Sequence, residues 1–318
     1  MDIELVAYKD SHAHVSQDTV NEFEKAIKAT SVATRLIANP TKNASRYAAA
    51  LLLKTGMHPP TLPFRSGRYH RFAVLMGPEF KKVFFPFLFN RNNSVYFFDA
   101  WPANHTRIEW FIRSFRPKHV FFSSSQVTEL FQGKGLSTQF HWVPEGIDLN
   151  DYSSRDYAAK DIDVLSFGRK YDELHNKIVD GLEIDGISYL YEKEKGKIIF
   201  PDRAAFVDGL ARTKISICVP SAITHPVRSG NIQTMTIRYL QSMAARTLIV
   251  GLMPEEMKRL FDHTPVIEVD KKDPLGQIRD ILAHFSDHIP LIEKNYQAVR
   301  QQHTWAHRWQ MITGVLGE

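Results

Sequence analysis

The sequence predicts an α/β protein made of two Rossmann-like domains, each a parallel sheet covered by helices. Three observations carry this. The chain has 318 residues, more than the ~250 at which a single core usually stops growing. Short apolar runs alternate with helix-like stretches along its whole length, which is the rhythm of a parallel sheet. A Pro-Glu-Gly turn at 144–146 and a polar stretch over 148–160 then split that alternation in two, as an interdomain hinge would. The expected division is 1–145, 146–300 and a C-terminal helix over 301–318, with the two domains facing a cleft.

In the first half, residues 3–8 read as an opening strand. Helices follow over 19–29 and 44–54, and 72–76 is a short apolar strand. Val95-Tyr-Phe-Phe-Asp99 and His119-Val-Phe-Phe-Ser123 are strand-length runs rich in Val and Phe, each followed by a helix-like stretch. Residues 139–143 close this half.

The second half continues with strands at 161–167, 187–190 and 214–219 and helices at 173–182 and 202–211. Residues 233–244 place Ile237, Leu240 and Ala244 on one helical face. Further elements are expected at 247–250, 254–261, 265–269 and 274–285. The tail over 289–317 reads as two helices broken near 302–304. Trp305 and Trp309, four residues apart, share one face there and would anchor the last helix.

Composition narrows the function. The apolar and charged fractions of 43% and 24% are those of an ordinary globular protein. No apolar run reaches the roughly 20 residues that cross a bilayer, and the first residues lack the pattern of a signal peptide, so a cytoplasmic protein is expected. Cys218, in a strand-like apolar run, reads as a packed thiol. The net charge of +5 and pI near 9.1 suit an anionic partner, but the basic residues are spread out and nucleic acid is not expected. Two local clusters stand out: Arg65, Arg68 and Arg71, and Arg107 with Arg113, Arg116 and Lys118. They read as solvated surface, or as contact with an anionic membrane face or a pyrophosphate-bearing lipid. The latter would make the protein peripheral at the inner face of the membrane.

Four segments, Trp142-Val-Pro-Glu-Gly-Ile-Asp148, Asp163-Val-Leu-Ser-Phe-Gly-Arg169, Thr236-Ile-Arg-Tyr-Leu-Gln241 and His303-Thr-Trp305, follow one another in an order and spacing that carry a family resemblance. Over roughly residues 94–316 the chain resembles the GT-B glycosyltransferases, especially the retaining glycosyl-transferase group 1 type and its spore-protein-like relatives. The resemblance implies a C-terminal helix crossing back to the first domain. It also implies a UDP- or GDP-linked hexose donor in the second domain and a glycan or lipid-linked saccharide acceptor on the first, with no cofactor and no metal.

Sugar transfer needs a cradle for the diphosphate, a pocket for base and ribose, and stabilisation of an oxocarbenium-like transition state. Gly168 and Arg169 follow the strand that ends at 167, where ligands of open α/β sheets bind. The resemblance implies that Arg169 grips the diphosphate together with a second lysine, Lys170 or Lys177, with Lys177 favoured by spacing. The loop 221–232 is implied to meet donor phosphates and sugar through Arg228, Gly230 and Asn231, and Thr234 or Thr236 can add a hydroxyl. A plain helix cap accounts for Ser229 and Asn231 equally well.

The family often carries two glutamates eight positions apart, and the matching positions here are Gln233 and Gln241. A glutamine at 241 still suits ribose hydroxyls, whereas an uncharged side chain at 233 removes negative charge beside the developing cation. The same pair suits a degenerate GT-B protein that binds sugar nucleotide or glycan without transfer. On the acceptor side, His12, His14 and Asp99 follow strands and are candidate catalytic bases. A dinucleotide-dependent oxidoreductase is disfavoured, because no Gly-x-Gly-x-x-Gly follows any strand.

Overall fold

The computed structural model describes residues 2–9, 18–30, 32–168, 170–194 and 199–317. It separates into two compact units. One holds Met1–Glu145, Val227–Ile232 and Trp305–Glu318, and the other holds Gly146–Pro226 and Gln233–Thr304.

The first unit runs β1 (Ile3–Tyr8), α1 (Asp18–Lys28), β2 (Ala33–Ile37), α2 (Asn39–Thr55), β3 (His70–Met76), α3 (Phe84–Leu88), β4 (Asn93–Phe98), α4 (His105–Phe115), β5 (His119–Phe122), α5 (Ser125–Gln132) and β6 (Gln139–Trp142). Its six strands pair in the order β2-β1-β3-β4-β5-β6, every neighbour parallel. Helices cover a parallel sheet on both faces, so its inner strands need unbroken apolar runs. β4 and β5 are buried along their full length, as their Val- and Phe-rich sequences require.

β2 has no counterpart in the sequence reading. Residues 33–36 are exposed, so no apolar pattern marks them; Arg35 is held to Glu4 at 2.9 Å, and parallel pairing to β1 defines the strand. The helix expected from 44 starts earlier, with Pro in its first turn, where a missing N–H leaves nothing unsatisfied.

The last helix, α13 (Trp305–Gly317), belongs to this unit. Trp305 stacks on Phe23 with ring centroids 4.5 Å apart and donates its indole N–H to Glu22 at 3.3 Å. One turn on, Trp309 meets the Phe72 ring at 5.1 Å and donates to Thr30 Oγ1 at 3.1 Å. Both indoles are thus buried with their N–H groups satisfied, and they fasten α13 against α1 and β3.

The second unit runs β7 (Ile162–Ser166), α6 (Asp172–Ile184), β8 (Tyr189–Tyr191), α7 (Arg203–Ala211), β9 (Thr213–Cys218) and α8 (Ser221–Thr224). After α9 (Pro226–Ser229), whose last residues group with the first unit, come α10 (Ile237–Ala244), β10 (Leu248–Gly251), β11 (Ile267–Glu268), α11 (Pro274–Ala283) and α12 (Ile289–Gln302). Five parallel strands stand in the order β11-β10-β9-β7-β8. The predicted helix over 233–244 begins only at Ile237, because Thr236 is extended at its N-cap. The stretch expected as a helix over 254–261 is a 3₁₀ turn at Glu255–Arg259. Cys218 is buried in β9, and burial pushes its thiol up from the ordinary value.

A histidine pair lies at the amino ends of the first sheet's strands. His70 opens β3 and meets Ser94 Oγ at 2.7 Å. His119 opens β5 and meets His141 at 3.1 Å, and each of the two is only 3% exposed. Burial pushes His70 down to about 4, with nearby Lys118 adding to the effect. Burial, then His141 and Lys118, push His119 to about 4.

Both groups therefore take up protons less readily folded than unfolded, where histidine titrates near ~6.5. Their contribution is full above that pH and is lost as pH falls through the window from 6.5 to 4. Urea midpoints measured across that window should fall with pH, and a double His70→Asn, His119→Gln variant should show a shallower decline. In the tail, Trp305→Ala should cost about 3–5 kcal/mol in the same assay.

Candidate functional site

In an all-parallel sheet every strand ends at one edge, and the loops and helix N-termini that follow gather there. In the second unit that edge is formed by the ends of β7 and β9 and the start of α10. Gly168 follows β7 in a left-handed conformation, φ 76°. A side chain there would be strained, and its Cβ would come within 3.3 Å of Arg238 Cδ.

Arg238, in the first turn of α10, reaches back over both strand ends. Its Nη2 donates to the Val219 carbonyl at 3.0 Å and its Nη1 to the Phe167 carbonyl at 3.4 Å. Lys170 stands nearby in sequence, 3.6 Å from Asp172 and 5.9 Å over the Tyr191 ring. Thr236, the N-cap of α10, makes no side-chain cap, and its buried hydroxyl has no partner among the described residues.

The chain leading into α10 is held by one buried carboxylate. Glu256, 4% exposed, accepts from Thr234 Oγ1 at 2.6 Å and from the Met235 N–H at 2.9 Å. Its own N–H donates to the Gln233 carbonyl at 3.4 Å. Glu256 thereby fixes residues 233–235.

Other expected site residues stand elsewhere. Lys177 is committed to α6 and the turn before α11: its Nζ donates to the Lys271 carbonyl at 2.7 Å and lies 3.9 Å from Glu173. Its spacing from Gly168 counts residues along a helix and says nothing of the face on which they emerge. Gln241 is buried on α10 and donates to the Tyr152 hydroxyl at 3.1 Å, because an amide N–H inside a core needs an acceptor. Arg169, His12 and His14 lie outside the described residues.

Arg228, Gly230 and Asn231 group with the first unit. There the carboxyl end of β4 leads into Asp99, a non-glycine residue at φ 48°, a conformation that costs of order 1–3 kcal/mol and persists where the surroundings enforce it. Asn104 donates to the Asp99 carbonyl at 3.2 Å, and Arg228 Nη2 meets Asp99 Oδ2 at 2.5 Å. The same guanidinium lies 5.9 Å from the Trp101 ring. Gly230, φ 54°, leaves room for Pro102, whose Cγ would sit 3.1 Å from a Cβ there. Asn231 is exposed, and Ile232 packs on the unit's core. Arg228, Gly230 and Ile232 thus dock their own segment on the first unit.

Arg238 lies inside the motif Thr236-Ile-Arg-Tyr-Leu-Gln241 but is not among the residues the sequence marks for the site. The signal was available: the positive end of a helix dipole disfavours a cation in the first turn unless it has its own acceptors or an anion. Among the described residues no group of three or more His, Cys, Asp or Glu could hold a metal ion, and no helix is long and apolar enough to cross a membrane.

Two open parallel α/β units, the second with a glycine turn and a cationic helix start at its carboxyl edge, define a protein of the GT-B class. Residues 158–314 match the family described as Glycosyl transferase-like. That match covers just under half of the chain, and over the whole chain the fold is that of the GT-B glycosyltransferases. No curated protein matches the sequence. Among solved structures it is similar to HepE of Anabaena in complex with UDP and glucose, at TM-score 0.62 and 10% identity, covering 100% of each chain. It is also similar to sucrose-phosphate synthase of Thermosynechococcus elongatus, at TM-score 0.60 and 12% identity over 99% of this chain and 98% of that one. An alpha-glucosyltransferase in complex with UDP and a 13-mer DNA containing an HMU base matches at TM-score 0.62 and 10% identity over 99% of both. At such identities the likeness is one of fold.

Removing the Glu256 carboxylate should unpin the start of α10. Glu256→Ala should lower stability by about 1.5–3 kcal/mol, the range for hydrogen bonds to a buried charged group, read as a shift of the denaturation midpoint.

Proposed function

We propose that this chain transfers a hexose from a UDP-linked donor to a glycan or lipid-linked saccharide, without a metal and with retention at the anomeric carbon. The observation that carries the reading is Arg238. Its two carbonyl bonds use two of the five N–H donors of a guanidinium. The rest are left for an anion at the edge where open α/β sheets bind ligands. A diphosphate is the anion that fits a helix start and an arginine together, since both stabilise the charge that grows on a departing nucleotide. HepE and the alpha-glucosyltransferase are both described with UDP, which favours UDP over GDP as the donor's nucleotide.

Gly168 lets the chain pass beneath Arg238, and Lys170 and Arg169 add charge to the same loop. Glu256 holds residues 233–235 in place, so Gln233 meets the donor sugar as a neutral amide. Retention then requires the acceptor hydroxyl to attack on the face from which the diphosphate departs, as the C–O bond to the diphosphate breaks. The diphosphate's negative charge stabilises the developing cation and guides the hydroxyl to that face. On the first unit, Asp99 keeps Oδ1 for the proton of an acceptor hydroxyl while Arg228 holds Oδ2. His12 and His14 are the other candidates for that base.

A second reading, binding without transfer, is favoured by two commitments: Gln241 to Tyr152 and Asp99 to Arg228. Isothermal titration with UDP, GDP, CDP and their sugars in the presence of a chelator tests the donor site. Saturable binding of UDP and a UDP-sugar is expected, and binding of none would remove the proposal. Arg238→Ala should weaken UDP binding by about 1.5–3 kcal/mol, the value of a charge-assisted bond. Asp99→Asn should cut donor turnover with UDP affinity unchanged. A wild-type protein that binds a UDP-sugar but never consumes it with any acceptor or water would support the second reading.

A further inference from the structure

The two basic clusters separated in sequence meet in the fold, at the amino ends of β3, β4 and β5. The segment before β3 lies along the segment before β4: Ser66 bridges to Asn90, with Ser66 N–H donating to the Phe89 carbonyl at 3.0 Å and Arg91 N–H to Ser66 at 2.9 Å. The Arg91 side chain lies over Gly67. Arg65 is pinned to the Asn90 carbonyl at 2.6 Å. Burial, and then the charge of Arg116, pull its guanidinium below the ordinary value, which puts Arg116 beside it. Lys118 joins through its N–H, which donates to the Asn93 carbonyl at 2.7 Å.

Two carboxylates of this unit are taken by other partners. Glu4 holds Arg35 and the buried Arg71, and Glu109 holds Arg113 and Lys134. Among the described residues no acidic side chain pairs with Arg65, Arg68, Arg91, Arg116 or Lys118. Two aromatic side chains stand out from the same segments: Phe64, 92% exposed, and Phe89, 50% exposed. A rim that projects phenylalanine into solvent among unneutralised cations has no use for either feature in water alone. Both are matched by an interface with an apolar interior and negative headgroups.

We propose that this rim of the first unit docks on an anionic lipid surface, with Phe64 and Phe89 entering the headgroup boundary and Arg68, Arg91, Arg116 and Lys118 meeting lipid phosphates. It lies at the opposite end of the first sheet from Gly77 and Asp99. The chain can therefore be held at a membrane with that end free for chemistry. The inference does not depend on the donor being a UDP-sugar.

The test is sedimentation of the full chain with vesicles of phosphatidylcholine alone and with about a third phosphatidylglycerol. Binding to the anionic vesicles only, weakened by salt, is expected. The double reversal Arg68→Glu, Lys118→Glu should lower partition at least tenfold, since each basic residue is worth roughly fivefold at such a surface. Phe64→Ser should lower it severalfold, and Lys272→Glu on the second unit should leave it nearly unchanged. Circular dichroism would confirm that each variant is folded. Absence of binding, equal binding to neutral vesicles, or equal loss with Lys272→Glu would overturn the proposal.

Discussion

Every strand in both sheets runs parallel to its neighbours, and the rest of the molecule follows from that pairing. Parallel strands cannot be joined by tight turns, so each pair needs a crossover, and the crossovers are the helices that bury both faces. The same constraint sends all strand ends to one edge of each sheet. Gly168, Phe167 and Val219 come together in the second unit for that reason, and Gly77 and Asp99 in the first. The chemistry of the edge is then decided by what the following helix brings to it.

Two cations in the second unit show how differently the two ends of a parallel sheet treat charge. Lys160, 3% exposed, sits at the amino end of β9 and donates to the carbonyls of Ala211, Thr213 and Ala245 at 2.8, 3.0 and 3.3 Å. It closes the C-terminal ends of α7 and α10, where a cation complements the helix dipole, although burial pushes its ammonium down to about 8. Arg238 sits at the other end of α10, where the dipole opposes it. Two strand carbonyls hold it there, and they leave it half-exposed with donors to spare. One cation has its ammonium taken up by the structure, and the other keeps N–H donors that the described residues do not use.

The first unit is held by aromatic side chains whose polar atoms find partners. Trp305 and Trp309 bring the end of the chain onto α1 and β3, and Tyr96 donates to the Val143 carbonyl at 3.0 Å. Asp99 and Arg228 pair at the carboxyl edge, where a strained backbone presents a carboxylate already gripped on one oxygen. The segment 227–232 owes its place to Ile232, Gly230 and Arg228 together: an apolar contact, a close approach and an ion pair.

Much of this was legible in the sequence because burial leaves a periodic trace. The Val- and Phe-rich runs of β4 and β5, the break between α12 and α13, and the tryptophan pair of the tail all follow from local pattern. β2 was not legible, since an exposed edge strand carries no apolar signature and exists only through its pairing with β1. The late start of α10 was hidden for a related reason: Glu256, more than twenty positions away, holds residues 233–235 out of the helix. The family resemblance brought Lys177 and Gln241 forward as site residues, and tertiary contacts with Lys271 and Tyr152 gave them partners. By itself the sequence determined the α/β class and the apolar runs that build each sheet, because these depend on neighbours along the chain. Only the tertiary structure decided which polar side chains share an edge, because hydrogen bonds and ion pairs such as those of Arg238, Glu256 and Asp99 join residues that the sequence keeps far apart.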